Sequence, residues 1–159
     1  MAKVVLDSID IKILKVIQND VSTPIVEIAK MVGLSQTPCW KRIQKLEQSG
    51  VINSRVAILN PEMLGLGLTV YISIISGEHS DVWLKKFTSE ISKFPEVVEF
   101  YRLAGEVDYM LKALFPEIRD FDEFYKRLIS IAPMKKVTSY FSMERIKCTT
   151  EVPLEQLRK

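Results

Sequence analysis

The sequence predicts an α+β chain in which an N-terminal winged helix-turn-helix joins a C-terminal ferredoxin-like βαββαβ domain. Three observations point there. Residues 1–50 hold capped segments with apolar residues at helical spacing. Residues 51–64 read as extended and contain the Asn60-Pro61 turn signal. Residues 65–159 alternate β-branched and aromatic runs with amphipathic helices. The expected division is a helical unit over 1–50, a β-linker over 51–64 and a sheet domain over 65–159.

The elements follow in order. From Asp7 to about Asn19, Ile9, Ile13, Val16 and Ile17 recur at helical spacing, with Asp7 placed to cap and Asp10 at the third helical position. A second, short helix takes Thr23 as cap and Pro24 as its first residue, turns Ile25, Ile28, Ala29 and Val32 inward, and stops near Gly33. Ser35 caps the third helix, whose stripe of Cys39, Ile43 and Leu46 faces inward and whose run ends at Gly50. Beyond the linker, "LTVYISIIS" reads as a strand and "SDVWLKKFTSEISKF" as a helix burying Leu84, Phe87, Ile91 and Phe94. "VVEFYRLA" and "DYMLKALF" are strands flanking Gly105, and "RDFDEFYKRLISI" is a helix with Phe121, Phe124, Leu128 and Ile131 inward. "VTSYFSMERI" supplies the last strand. The first strand alternates Val70, Ile72 and Ile74 with Tyr71, Ser73 and Ile75, so both its faces look buried, and a partner sheet would cover the one the helices leave open.

Composition narrows the function. An apolar content of 47% over 159 residues suits a globular chain with a real core. No run approaches the roughly 20 apolar residues of a membrane helix, and "MAKVVLDSIDIKIL" lacks a signal-peptide cleavage site, so the cytoplasm is the expected compartment. Cys39 and Cys148 read as reduced thiols. Net charge is only +2, but residues 1–60 hold eight Lys/Arg against five Asp/Glu while the remainder is −1, which places the basic excess at the helical end. An enzyme is not expected. His79 is the only histidine and reads as a solvated loop residue, no glycine-rich phosphate loop appears, and the cysteines and histidine are too scattered for a metal site. Neither metal nor cofactor is therefore expected.

The third helix carries the functional signal. A short helix, a glycine-containing turn and a second helix have the spacing of a helix-turn-helix, which lays its second helix in the DNA major groove. The inward stripe leaves Thr37, Lys41, Gln44 and Gln48 outward, with Gln36, Trp40 and Lys45 on the flanks. Glutamine presents a bidentate pair to adenine, lysine reaches guanine or phosphate, and the helix N-terminus offers amides to an anion. Pro38 falls in the first turn, where its missing amide hydrogen costs nothing. Gln36, Thr37, Lys41 and Gln44 are the expected base readers, and Arg42, Lys45 and Arg55 the expected phosphate contacts. Trp40 reads first as cover for the core edge and second as a surface for a sugar or base. A trihelical bundle that docks a protein has the same periodicity and stays open at this point.

"LDSIDIKIL", "EIAKMVGLSQTPCWKRIQKLEQSGVI", "LGLG" and "LAGEVDY", in this order from about Leu6 to Pro153, resemble the Lrp/AsnC, or feast/famine, transcriptional regulators. "TPCWKR", "GEVDY", "DEFYKRL" and "SMERIKCTT" are most similar to the branch associated with cysteine-responsive control of thiol catabolism. The resemblance implies sequence-specific binding of double-stranded DNA on the nucleoid. It also implies a homodimer formed by the ferredoxin-like domain, higher oligomers such as an octamer, and a free amino acid bound between dimers. For that effector it points to Leu103, Ala104, Gly105 and Asp108, with Thr138 and Ser139 from a neighbouring subunit. Gly105 permits close backbone approach and Asp108 can accept from an α-ammonium, although a strand-start carboxylate has a structural reading too. Arg102 and Glu106 stand where ligand choice is tuned. The competing classes are an architectural DNA protein without an effector, an amino-acid sensor acting through a protein partner, and an RNA-binding sheet. The last needs stacking aromatics in a pattern that "EVDYMLKALF" lacks.

Overall fold

A capping box starts the first helix. In the computed structural model, which describes residues 4–78 and 80–157, Asp7 accepts from the amides of Ile9 and Asp10 at 2.8 Å. Asp10 accepts in turn from the amide of Asp7. Helix α1 then spans Ser8–Asn19. Helix α2 spans Ile25–Val32 and is capped differently from expectation. The Thr23 hydroxyl donates backward to the Asp20 carbonyl at 3.0 Å, inside a turn that the Asp20 side chain closes on Ser22. Pro24 therefore holds the N-cap, and its carbonyl accepts from Glu27 and Ile28. At the other end Gly33 adopts φ 74°, which lets the Leu34 amide return to Ala29 O at 2.9 Å and turns the chain into the next helix.

Helix α3 spans Gln36–Gln48. Ser35 occupies its N-cap position, but the hydroxyl makes no capping bond, so no side chain among the described residues claims the first-turn amides. Ile13, Leu14, Ile17, Ile28, Ala29, Val32, Cys39, Ile43 and Leu46 form one core, which also takes in Leu154 from the C-terminal tail. Ile25 packs against that core without being fully buried.

Chain contacts divide the protein into Met1–Ile58 with Lys147–Lys159, and Leu59–Ile146. This differs from the expected boundaries at the tail, which belongs with the helices because Leu154 is buried among them. Residues 53–60 form neither helix nor strand, since no strand among the described residues pairs with them, and Val56, Ile58 and Leu59 are exposed. The Asn60-Pro61 signal marks a real turn. Asn60 Oδ1 accepts from the Glu62 amide at 3.0 Å and starts a short 3-10 turn, Glu62–Leu64.

The second unit runs β1 (Leu68–Ser76), α4 (Asp81–Ile91), β2 (Val97–Arg102), β3 (Tyr109–Phe115), α5 (Ile118–Ser130) and β4 (Met134–Phe141). The sheet order is β2-β3-β1-β4 with every neighbouring pair antiparallel, which is the ferredoxin-like arrangement. Val70, Ile72 and Ile74 of β1 and Tyr109, Leu111, Ala113 and Phe115 of β3 pack against Phe87 and Ile91 of α4 and Phe124 and Leu128 of α5. Trp83 joins them although the periodicity had favoured Leu84; its ring stacks on Phe87 at 4.6 Å and its indole N–H donates to Pro133 O. Strand β4 starts earlier than expected and stops at Phe141, opposite Val70 near the start of β1, so "SMERI" has little strand left to pair with. Only one face of β1 is fully covered. Tyr71 on the other face is half-exposed, and Tyr101 and Tyr140 lie on the same open side of the sheet.

Candidate DNA-reading face and ligand loop

Because Cys39, Ile43 and Leu46 turn inward, α3 presents its remaining surface to solvent. Gln36, Thr37, Lys41 and Lys45 are exposed, and neither lysine forms an ion pair among the described residues. Trp40 is 48% exposed and shares this helix surface with the exposed Gln36, Thr37 and Lys41. An aromatic face, two cations and unclaimed amides on one helix can meet bases and phosphates together.

Three expected contacts are placed differently. Arg42 turns back to α1, where Nη1 lies 2.6 Å from Asp7 Oδ2 and 2.7 Å from Asp10 Oδ1. Its guanidinium is therefore a tie between α3 and α1. The Asp10 amide, and then the Arg42 guanidinium, hold the Asp7 carboxyl below its ordinary value, while Asp7 and Asp10 raise the Arg42 pKa. Gln44 is half-buried and donates to Glu47 Oε2 at 3.1 Å, and the other Glu47 oxygen pairs with Arg55 Nη2 at 2.7 Å. Arg55 has further N–H donors beyond that pair. The sequence held a signal for Arg42: Cys39, Arg42 and Leu46 are spaced three and four, which puts Arg42 at the margin of the inward stripe. Burial pushes the Cys39 thiol up, so it behaves as a small apolar side chain.

In the sheet unit, Leu103, Ala104 and Gly105 form an exposed turn between β2 and β3, and Gly105 at φ 152° takes a conformation that side chains disfavour. Asp108 fastens this turn to the end of β1. Its carboxylate accepts from the Ser76 amide at 2.7 Å and from the Ser76 hydroxyl at 2.8 Å, and its own amide donates to Ile74 O. The structural reading of Asp108 is thus realised, and an α-ammonium would have to share this carboxylate. Thr138 pairs with Ser73 and Ser139 with Ile72, so their side chains leave opposite faces of β4. Only Thr138 lies on the open face with Tyr71 and Tyr140. Lys112 crosses that face to Glu99 at 2.8 Å, and Tyr101 donates to the second Glu99 oxygen. Among the described residues no cluster of metal-ligating side chains occurs and no helix is long and apolar enough to cross a membrane; His79 lies outside them.

A helix-turn-helix with an exposed second helix, followed by a ferredoxin-like sheet domain, is the arrangement of a two-part DNA-binding transcriptional regulator. Both parts match known families: winged helix-turn-helix DNA-binding over residues 6–53, and the Lrp/AsnC ligand binding domain over residues 69–152. The chain belongs to the Lrp/AsnC family. It is 44% identical over 151 residues to the glutamate uptake regulatory protein of Zymomonas mobilis, covering 95% of this chain and 92% of that one. The crystal structure of an AsnC family regulator from Agrobacterium tumefaciens superposes with a TM-score of 0.90 at 50% identity, covering 94% of this chain and 98% of the other. The L-Met complex of a Neisseria meningitidis transcriptional regulator gives the same TM-score at 36% identity, with 94% and 97% covered.

Proposed function

We propose that this protein regulates transcription by reading pseudo-palindromic DNA half-sites, about one helical turn or a multiple apart, with paired α3 helices. Gln36, Thr37 and Lys41 read base edges with Gln44 beside them, Trp40 packs on the backbone or a base, and Lys45 and Arg55 contact phosphates. The exposed polar and cationic face of α3, with Lys41 and Lys45 outside any ion pair among the described residues, carries this reading. Arg42 serves the site by holding α3.

The effector in this proposal is a free amino acid bound at the Leu103–Asp108 turn, with Thr138 and the backbone at Ser139 supplied by a neighbouring subunit. The methionine in the Neisseria structure and the glutamate in the Zymomonas regulator's name favour that ligand class, and "TPCWKR" adds cysteine to the candidates. So small a ligand binds weakly to moderately, because few atoms supply little affinity. The open, tyrosine-bearing sheet face supports a homodimer, and the exposed apolar residues of the linker support a β-pairing there with a second copy. Higher oligomers up to an octamer and residence on the nucleoid complete the proposal. The ligand shifts DNA affinity only through unequal affinity for the assembly states. Gel filtration and DNA titration with each of the twenty amino acids test it: one amino acid should move both curves, and no response to any of them contradicts the effector reading.

A further inference from the structure

After β4 the chain returns to the helical unit and grips α1. Leu154, only 9% exposed, joins the core cluster that contains Leu14 and Ile17. Gln18 pairs with the tail backbone as a neighbouring strand would: its Nε2 donates to Val152 O at 3.3 Å and its Oε1 accepts from the Val152 amide at 3.1 Å. Lys15, one turn earlier on the same face of α1, lies 2.6 Å from Glu155 Oε1. Pro153 then opens a 3-10 turn over Leu154–Gln156 that sets these groups against the helix. The opposite end of α1 carries Asp7 and Asp10, which hold Arg42 of α3. The tail and the reading helix thus hold the two ends of one twelve-residue helix.

We propose that the tail segment Val152–Glu155 is a positioning element of the DNA reader: by clamping the C-terminal half of α1 it fixes the helix to which Arg42 ties α3. This rests on the reading of α3 as the DNA-contacting helix. Base-edge hydrogen bonds form only when the presenting helix is held to within about 0.5 Å of its productive place, so loosening α1 costs base discrimination first. The tail is continuous with β4, the strand that carries Thr138 and Ser139, so it is also a second covalent route, besides the linker, from the sheet unit to the reader.

The test uses the full chain with Leu154→Ser, Leu154→Met and Gln18→Ala. Binding is measured by fluorescence anisotropy on a duplex from the gene's own upstream region and on a scrambled duplex of equal length, across a salt series, with amide hydrogen exchange on the same samples. Leu154→Ser should weaken the specific duplex about tenfold and the scrambled one less than about twofold, with an unchanged salt slope because no phosphate contact is lost. Exchange should quicken in α1 and not in β1–β4, and Leu154→Met should restore binding. Specific affinity equal to wild type, with the tail amides exchanging freely, overturns the proposal. Where Leu154→Ser strips all protection from the helices, Gln18→Ala decides, since it removes both Val152 bonds and leaves the core intact: a loss of about threefold or more supports the clamp, and none overturns it. A wild-type chain that cannot tell the two duplexes apart would instead overturn the DNA reading itself.

Discussion

Nη1 of Arg42 lies 2.7 Å from Oδ1 of Asp10, which ties α3 to the first turn of α1. The Asp10 side chain is 12% exposed and that of Arg42 31%, so the pair is partly screened by solvent. Arg42→Ala should lower the stability of the helical unit by on the order of 1 kcal/mol. A thermal melt and a DNA salt series together check this: the midpoint falls and the salt slope stays. A slope reduced by about 0.9 with no change in the melt would make Arg42 a phosphate contact after all.

Lys45 is the opposite case, an exposed cation outside any ion pair among the described residues. Lys45→Ala should weaken binding to every duplex alike and flatten the salt slope by about 1, whereas Gln36→Ala or Thr37→Ala should cost about 1–3 kcal/mol at particular base pairs and spare the rest. Competition against single-base variants of the site separates them. Equal, sequence-blind losses for all three would undo the assignment.

Acid should act on the same tie. The folded Asp7 carboxyl titrates below its ordinary value of 3.8 because the Asp10 amide and Arg42 favour its charged form. Its contribution to stability is therefore complete above that ordinary value and is lost as pH falls through the lower folded value. Urea titrations between neutral pH and pH 3 should show wild type losing stability below about 3.8 more steeply than Asp7→Asn. Parallel curves would remove Asp7 from the account.

Much of this architecture is legible in the residues, and most of the exceptions share a cause. Asp7 with Asp10, the 39-43-46 stripe and the inward set Val70, Ile72 and Ile74 of β1 are local patterns, fixed by one turn or one pleat, and they appear where periodicity places them; the other face of β1, expected to be buried, stays open at Tyr71. Apart from Thr23, whose competing turn is local, the misplaced residues answer to partners far along the chain. Thr23 yields its cap because Asp20, three residues back, closes a competing turn, and Arg42 turns toward α1 because Asp7 and Asp10 receive it there. Trp83 is buried where Pro133 offers its carbonyl. Leu154 sits in a polar stretch with no period, so its place among the helices is invisible until the chain folds back. "LAGEVDY", the expected ligand loop, falls on the turn between β2 and β3, where Asp108 already serves Ser76.

That double use of Asp108 gives a further expectation. Asp108→Asn keeps an acceptor for the Ser76 donors and should preserve the fold while removing the charge offered to an α-ammonium, so the amino-acid response disappears. Asp108→Ala removes the acceptor of two buried donors and should also cost about 1–2 kcal/mol. Calorimetric titration and thermal melts check both. An intact response in Asp108→Asn would assign the carboxylate to structure alone.

The open sheet face makes its own prediction. Tyr71 and Tyr140 face each other across β1 and β4 on the uncovered side, and a carboxylate at either place cannot be buried against a second copy without a large desolvation cost. Tyr71→Asp should shift sedimentation toward monomer while leaving the melt of the single chain close to wild type. An unchanged sedimentation profile would move the dimer contact elsewhere.

The central claim, that α3 reads DNA sequence under amino-acid control, is met most directly by one titration. The purified chain is bound to its own upstream duplex by fluorescence anisotropy across a salt series, with and without methionine, glutamate and cysteine. Tight, salt-dependent binding is expected, unmatched by a scrambled duplex and altered by one of these amino acids. Binding that is salt-sensitive but indifferent to sequence and to every amino acid would contradict it and leave an architectural DNA protein.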